Sequence, residues 1–165
     1  FLHESPRLSG TMPTELGRLT GLLHGMSLAE TRLSGTLPTE IGGATRLRQL
    51  WLVRMRLSGS LPSEVGNMQS LNQLELHGNR FSGNLPASLG KLKLRACVLT
   101  ATQGPHQARH GLRPVDAAAA DTNKWACPLP PQLPAPCVRH LSCEETGRRR
   151  GRGKHRGRGR GSRRG

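Results

Sequence analysis

The sequence is poor in aromatic residues, in acidic residues and in cysteine. Its 165 residues include two Trp, two Phe and no Tyr, and only 34% are apolar. A large aromatic core is therefore excluded, and leucine must supply most of the packing. No apolar run approaches the ~18 residues that a membrane-spanning helix needs, so no transmembrane segment is predicted. The chain begins with Phe1, which is typical of a fragment or a processed chain, so the absence of a visible signal peptide carries no conclusion.

Basic charge is abundant, and most of it lies at the C terminus. The formal net charge is +15, from 25 Lys and Arg against 10 Asp and Glu. Residues 147–165 contain ten basic residues and no acidic residue, whereas residues 104–146 contain four of each. Residues 1–103 contain 11 basic and 6 acidic residues. The high pI therefore describes a tail rather than the whole molecule.

Four copies of one short unit follow each other in the first hundred residues. Aligning the copies on one proline places it at Pro13, Pro38, Pro62 and Pro86, with spacings of 25, 24 and 24 residues. Two glycines in each copy keep the same spacing. A fixed period in this range is the signature of a solenoid, in which each unit buries its apolar side against its neighbours.

Each copy contains a strand pattern followed by turn signals. Leucine alternates with other residues in QLWLV at 49–53 and in QLELH at 73–77. A period of two over such a span predicts a short strand with one buried face. The Ser-Gly and Pro of SGSLP at 58–62 predict a turn, and PSEVG at 62–66 predicts a short helical turn.

The stretches LRQLWLVRMRLSGSLPSEVG at 47–66 and LNQLELHGNRFSGNLPASLG at 71–90 resemble leucine-rich repeats of the plant type. The resemblance covers roughly residues 1–100. It implies an α/β solenoid, a curved right-handed superhelix with short parallel strands and a ligand site on its concave face. Repeats of this type occur in plant receptor-like proteins and receptor-kinase ectodomains, in polygalacturonase inhibitors and in protist surface antigens.

The copies depart from this pattern at one position. Repeats of this type carry an asparagine that bonds to backbone between turns, and Asn79 supplies it here. Thr31 and Met55 take its place in the earlier copies. Because methionine cannot make these hydrogen bonds, one end of the stack is predicted to be less well held.

We therefore divide the chain into four parts. Residues 1–103 are a leucine-rich-repeat solenoid of about four repeats, truncated at its N-terminal side. Residues 104–124 are a linker, and residues 125–146 are a C-terminal cap rich in cysteine and proline. Residues 147–165 are a disordered Arg/Gly-rich tail.

The resemblance places the ligand on the concave sheet, at the strand positions that point away from the core. The candidate ligand-binding residues are Gln49, Trp51, Val53, Gln73, Glu75 and His77. An exposed Trp51 is typical of a contact patch, although a Trp that merely covers neighbouring aliphatic stems fits equally. Glu75 and His77 share a face, but no nucleophile, second carboxylate or metal-ligand set converges on them. We therefore expect no enzymatic activity, no catalytic residue, no metal and no cofactor.

The segment NKWACPLPPQLPAPC at 123–137 resembles the cysteine-bearing segment that follows extracellular repeats of this type. The resemblance implies that Trp125 covers the open end of the solenoid and that a Cys127–Cys137 disulfide closes the proline-rich loop. The residues alone leave alternatives open, since four cysteines allow three pairings and all four are also compatible with free thiols. A zinc site is disfavoured because the C-x-x-C pairing is missing; its ligands would be Cys127, Cys137, His140 and Cys143.

The tail is a candidate polyanion-binding segment. Its candidate residues are Arg148, Arg149, Arg150, Arg152, Arg156, Arg158 and Arg160. Such a segment binds RNA, another polyanion or an anionic membrane through weak, salt-sensitive contacts. Translation of GC-rich DNA beyond the true exon would give the same composition, and the tail would then have no function.

Two functions fit these observations. The first is a non-catalytic recognition module, an extracellular or cell-surface receptor-like domain that binds a protein, peptide or glycan on its concave face and serves signal perception. The second is an intracellular scaffold whose repeats bind protein and whose tail binds RNA or another polyanion.

Overall fold

The computed structural model describes residues 7–19, 21, 24–100, 123–138, 141 and 143–144. Within these residues the backbone forms ten short strands: β1 Ser9–Thr11, β2 Gly25–Ser27, β3 Arg32–Thr36, β4 Gln49–Trp51, β5 Arg56–Gly59, β6 Gln73–Glu75, β7 Arg80–Gly83, β8 Ala96–Val98, β9 Lys124–Ala126 and β10 Cys143–Glu144. They are joined by four 3₁₀ helices, η1 Thr14–Arg18, η2 Thr39–Gly43, η3 Ser63–Asn67 and η4 Ala87–Lys91, and by the α-helix α1 Ala135–Val138. None of these helices is long or apolar enough to cross a membrane.

The strands form two parallel sheets. The four-stranded sheet has the order β2-β4-β6-β8, and the six-stranded sheet has the order β1-β3-β5-β7-β9-β10. Each turn of the chain contributes one strand to each sheet, so neighbouring strands come from successive repeats. The expected α/β solenoid of short parallel strands is confirmed.

One core lies under both sheets. Leu50 and Leu74, in the middle of β4 and β6, are fully buried and share this core with Leu57 and Phe81 of the six-stranded sheet. A buried aliphatic side chain contributes about 1.5–3 kcal/mol, so a single turn buries too little to fold alone. The period-two alternation therefore predicts the buried face of the strands correctly.

Prolines and glycines recur because of chain geometry at the 3₁₀ helices. Pro38 and Pro62, with φ of −69° and −67°, immediately precede η2 and η3. Gly42 occurs where two turns approach closely, because a Cβ there would strike the backbone of Glu64 in the next turn. The expected short helical turns are thus present in 3₁₀ form.

Asn79 joins backbone groups of neighbouring turns. Its Nδ2 donates to the carbonyl oxygens of Leu52 and Leu76 at 2.6 and 2.9 Å, and its Oδ1 accepts from the Leu57 amide at 3.3 Å. Thr31 holds the same position in an earlier copy and donates to the carbonyl oxygen three residues before it, in its own turn. The threonine therefore replaces the local bond of the asparagine.

Asn123 repeats this arrangement in a fifth turn. Its Nδ2 donates to the carbonyl oxygens of Leu76 and Leu99, both at 2.9 Å, and its Oδ1 accepts from the Phe81 amide at 2.8 Å. Trp125 in the adjacent strand is fully buried, and its ring stacks on Phe81 with centroids 6.0 Å apart. Residues 123–126 therefore continue the solenoid and cover its core.

This fifth turn changes the predicted boundary between linker and cap. Asn123 and Lys124, which the sequence places in the linker, lie in the solenoid because β9 pairs with β7. The linker up to residue 122 and the predicted tail residues, Arg148 to Arg160 among them, lie outside the described residues.

The pairing of the cysteines corrects another expectation. Cys137 forms a disulfide with Cys97, with Cα atoms 4.7 Å apart, and the predicted Cys127–Cys137 pairing is wrong. Cys97 lies in β8, and α1 packs against that strand. The helix therefore brings Cys137 to the last strand of the four-stranded sheet rather than back to its own loop. Cys127 is disulfide-bonded as well, so the free-thiol alternative does not hold for these three residues.

Candidate functional site

The four-stranded sheet brings the predicted ligand-binding residues together. Gln49 of β4 pairs in register with Gln73 of β6, and Trp51 pairs with Glu75. These pairs follow from the 24-residue period, since equivalent residues of successive turns become neighbours in the sheet. Because adjacent strands lie ~4.8 Å apart, these side chains form a compact patch on the face opposite the core.

The exposure of this patch differs from the expectation. Gln49, Trp51 and Gln73 are half-buried, and Val53 is only 1% exposed. Trp51 packs against Val53 and Ala29 in a small apolar cluster outside the main core. The prediction of an exposed Trp51 is therefore wrong, and the alternative holds in which its ring covers neighbouring aliphatic groups.

Glu75 and His77 form the polar, buried part of the patch. His77 Nδ1 lies 4.0 Å from Glu75 Oε2, and the two side chains are 7% and 5% exposed. Neither residue belongs to a cluster of three His, Cys, Asp or Glu suited to a metal ion, and the described residues contain no such cluster. Glu75 and His77 are thus a buried polar pair within the patch.

An ion pair that the sequence patterns did not single out borders the patch. Arg54 Nη1 donates to Glu30 Oε1 at 2.7 Å. Both residues have positive φ, 60° at Glu30 and 53° at Arg54. Gly78 occupies the equivalent position in the next turn, with a φ of 73°. A Cβ on Gly78 would come within 3.1 Å of the Arg54 backbone. An alignment of the copies identifies the Glu30–Arg54 ion pair from sequence, because the opposite charges occupy equivalent positions 24 residues apart.

Arg54 carries two further donors at the border of the patch. Its side chain is 12% exposed. Its Nε and Nη2 are buried and have no hydrogen-bond partner among the described residues. The Glu30 carboxylate therefore makes the polar contact of Nη1 and holds this guanidinium group in place.

Comparisons with known proteins agree with this architecture. Residues 70–92 match the family model described as Leucine Rich Repeat. Over 57% of its length the chain is similar to the plant peptide hormone receptor RGFR1 in complex with RGF2, with 38% identity and a TM-score of 0.55. This is a plant-type leucine-rich-repeat protein. No curated protein sequence matches it significantly.

Two Arabidopsis thaliana ectodomains are also similar to this leucine-rich-repeat protein. The BIR2 ectodomain matches 76% of the chain with 27% identity and a TM-score of 0.56. The LRR ectodomain of the receptor kinase SOBIR1 matches 74% with 28% identity and a TM-score of 0.54. The chain spans 15% of the RGFR1 chain and 67% of each of the other two. The leucine-rich-repeat fold and these likenesses support a protein-recognition module.

Proposed function

We propose that this leucine-rich-repeat protein is a non-catalytic, receptor-like module that binds a peptide or protein on its four-stranded sheet, outside the cell or at its surface. The observation that carries the proposal is the register of Gln49 with Gln73 beside Trp51. Two amides and an aromatic ring on a rigid sheet offer hydrogen bonds and apolar contact at a small cost in conformational entropy.

The comparison with solved structures supports a peptide or protein as the class of ligand. The similarity to a peptide hormone receptor in complex with RGF2 supports a peptide or protein over a glycan at this sheet.

The disulfides support the extracellular setting over the intracellular scaffold. Cys97, Cys127 and Cys137 are all disulfide-bonded. Structural disulfides form and persist in oxidising compartments and are rare in the cytosol and nucleus. The scaffold hypothesis depends on the tail, which lies outside the described residues, so no contact supports it.

Ligand selection followed by mutational mapping tests the proposal. Peptides selected from a displayed library on the oxidised, full-length chain should bind more than about tenfold weaker to Gln49→Arg and Gln73→Arg, because a bulky charge would interrupt the patch. The matched control is Gln132→Arg, an exposed glutamine of the fifth turn. Ligands that lose equal affinity with the control, or none with either patch variant, would show that the four-stranded sheet is not the binding face.

A further inference from the structure

A row of cations crosses the solvent-facing side of the six-stranded sheet. In each of five turns, a basic residue directly precedes an apolar residue at or near the start of a strand of the six-stranded sheet. This apolar residue is buried or partly buried. This basic row consists of Arg7, Arg32, Arg56, Arg80 and Lys124. All five residues are exposed, although their spacing in the chain ranges from 24 to 44 residues. The row therefore arises from the fold and extends into the fifth turn.

The strand register determines the spacing of the row. Each cation is paired with a serine of the preceding strand: Arg32 with Ser9, Arg56 with Ser34, Arg80 with Ser58 and Lys124 with Ser82. This offset of two residues per strand puts successive cations about 8 Å apart at Cα, close to the Debye length of ~8 Å at physiological ionic strength. The fields of neighbouring cations therefore overlap, and the row acts as one extended positive stripe.

Within the described residues, carboxylates do not pair with the four arginines of the stripe. Strands β1, β3, β5, β7 and β9 contain no Asp or Glu, and β10, at the edge of the sheet, ends in Glu144. Within the described residues, the side chains of Arg7, Arg32, Arg56 and Arg80 form no ion pair or hydrogen bond. Cations about 8 Å apart still repel one another at moderate ionic strength, so a bound polyanion would relieve this repulsion.

Carboxylates at a fixed distance along the chain accompany only the first three cations of the row. They lie in the 3₁₀ helices at Glu15, Glu40 and Glu64, eight residues after the cation of each of the first three turns. In the fourth and fifth turns, Ser88 and Gln132 occupy this position. The last two cations of the row therefore have no carboxylate at this position.

We propose that the basic row binds a linear acidic polysaccharide. A chain with a carboxylate or sulfate on successive sugars matches an extended stripe of cations, and the serines between the cations offer hydroxyl groups to the sugar. A single-stranded nucleic acid would need aromatic side chains for its bases to stack on, but Phe81 and Trp125 of this sheet are fully buried. The choice of a glycan also rests on the extracellular setting proposed above.

Binding of polygalacturonate, which carries one carboxylate per sugar, to the oxidised full-length chain tests this proposal. The triple variant Arg32→Gln/Arg56→Gln/Arg80→Gln should bind it at least about tenfold weaker at low salt, with a shallower salt dependence. The matched control, Arg46→Gln/Arg48→Gln/Arg95→Gln, removes the same charge from exposed positions outside the row. Its affinity should change by less than about threefold, since the tail contributes equally to both variants.

A second variant distinguishes a direct loss of binding from a loss of folding. Ser58→Glu places a carboxylate in register with Arg80 and should weaken binding without removing an arginine. Equal losses in both triple variants would overturn the proposal, because binding would then follow net charge alone. Tighter binding of polyuridylate RNA or of phosphatidylserine vesicles than of polygalacturonate would also overturn it. These results leave the peptide-binding test untouched, because that test concerns the opposite sheet.

Discussion

Single polar residues set how firmly one turn is held to the next. Asn79 and Asn123 each donate to two carbonyl oxygens and accept from one amide, which satisfies backbone groups that the strands leave unpaired. Met55 cannot replace these bonds, and Thr31 replaces only a local one. The hydrogen bonds that this position makes between turns therefore lie toward the C-terminal side of the solenoid.

Replacing Asn79 with alanine tests this role. Asn79→Ala removes the bonds to the Leu52 carbonyl oxygen and the Leu57 amide, while Leu76 keeps its bond from Asn123, and should lower the free energy of unfolding by about 3 kcal/mol. Asn84→Ala, at an exposed asparagine after β7, should change it by less than about 0.5 kcal/mol. Urea denaturation of both variants measures the difference. Equal midpoints would mean that the bonds between turns contribute little to stability.

At the scale of elements, the Cys97–Cys137 disulfide fastens α1 to the last strand of the four-stranded sheet. The bond spans 40 residues of sequence, so its removal increases the conformational freedom of the unfolded chain. Cys97→Ser should therefore destabilise the protein by roughly 3–4 kcal/mol. Thermal or urea unfolding of the oxidised variant and the parent chain gives the value.

Peptide mapping without reduction gives an independent readout of the same element. Protease digestion of the native protein should release a peptide pair joined through Cys97 and Cys137. A pair joined through Cys127 and Cys137 instead would contradict the contact between α1 and β8.

The repeated elements could be predicted from sequence, whereas the cap could not. A period of 24 residues places Gln49 beside Gln73 and Trp51 beside Glu75, so the candidate patch follows from the alignment alone. The burial of this patch does not follow from the alignment, because Trp51 packs against Ala29 of the preceding turn and against Val53. The disulfide partner of Cys137 likewise depends on where α1 packs, which no local pattern encodes.

The fifth turn shows a further limit of local patterns. Two residues separate Leu76 from Asn79 in the fourth turn, but 23 residues separate Leu99 from Asn123. Because of this longer separation, an alignment of the repeats does not show that Asn123 is equivalent to Asn79. In the structure both asparagines donate to the carbonyl oxygen of the corresponding leucine at 2.9 Å.

For the whole molecule, this equivalence predicts that residues 101–122 are dispensable for folding and the fifth turn is not. Joining Thr100 to Asn123 through one glycine restores the spacing of the fourth turn. The resulting chain should unfold cooperatively, with its stability unchanged or raised by up to about 2 kcal/mol because the connecting loop is shorter. Calorimetry and light scattering would record a single transition of a monomer.

A chain that ends at residue 103 is the matched comparison for the shortened loop. It lacks Asn123 and Trp125, so the Phe81 ring loses the side chain that stacks on it and the Phe81 amide loses its acceptor. An apolar end of a solenoid that is left uncovered promotes association. We expect this chain to unfold without cooperativity or to form oligomers. A stable monomer would mean that the first four turns suffice, and the fifth would then be an accessory to the fold rather than its cap.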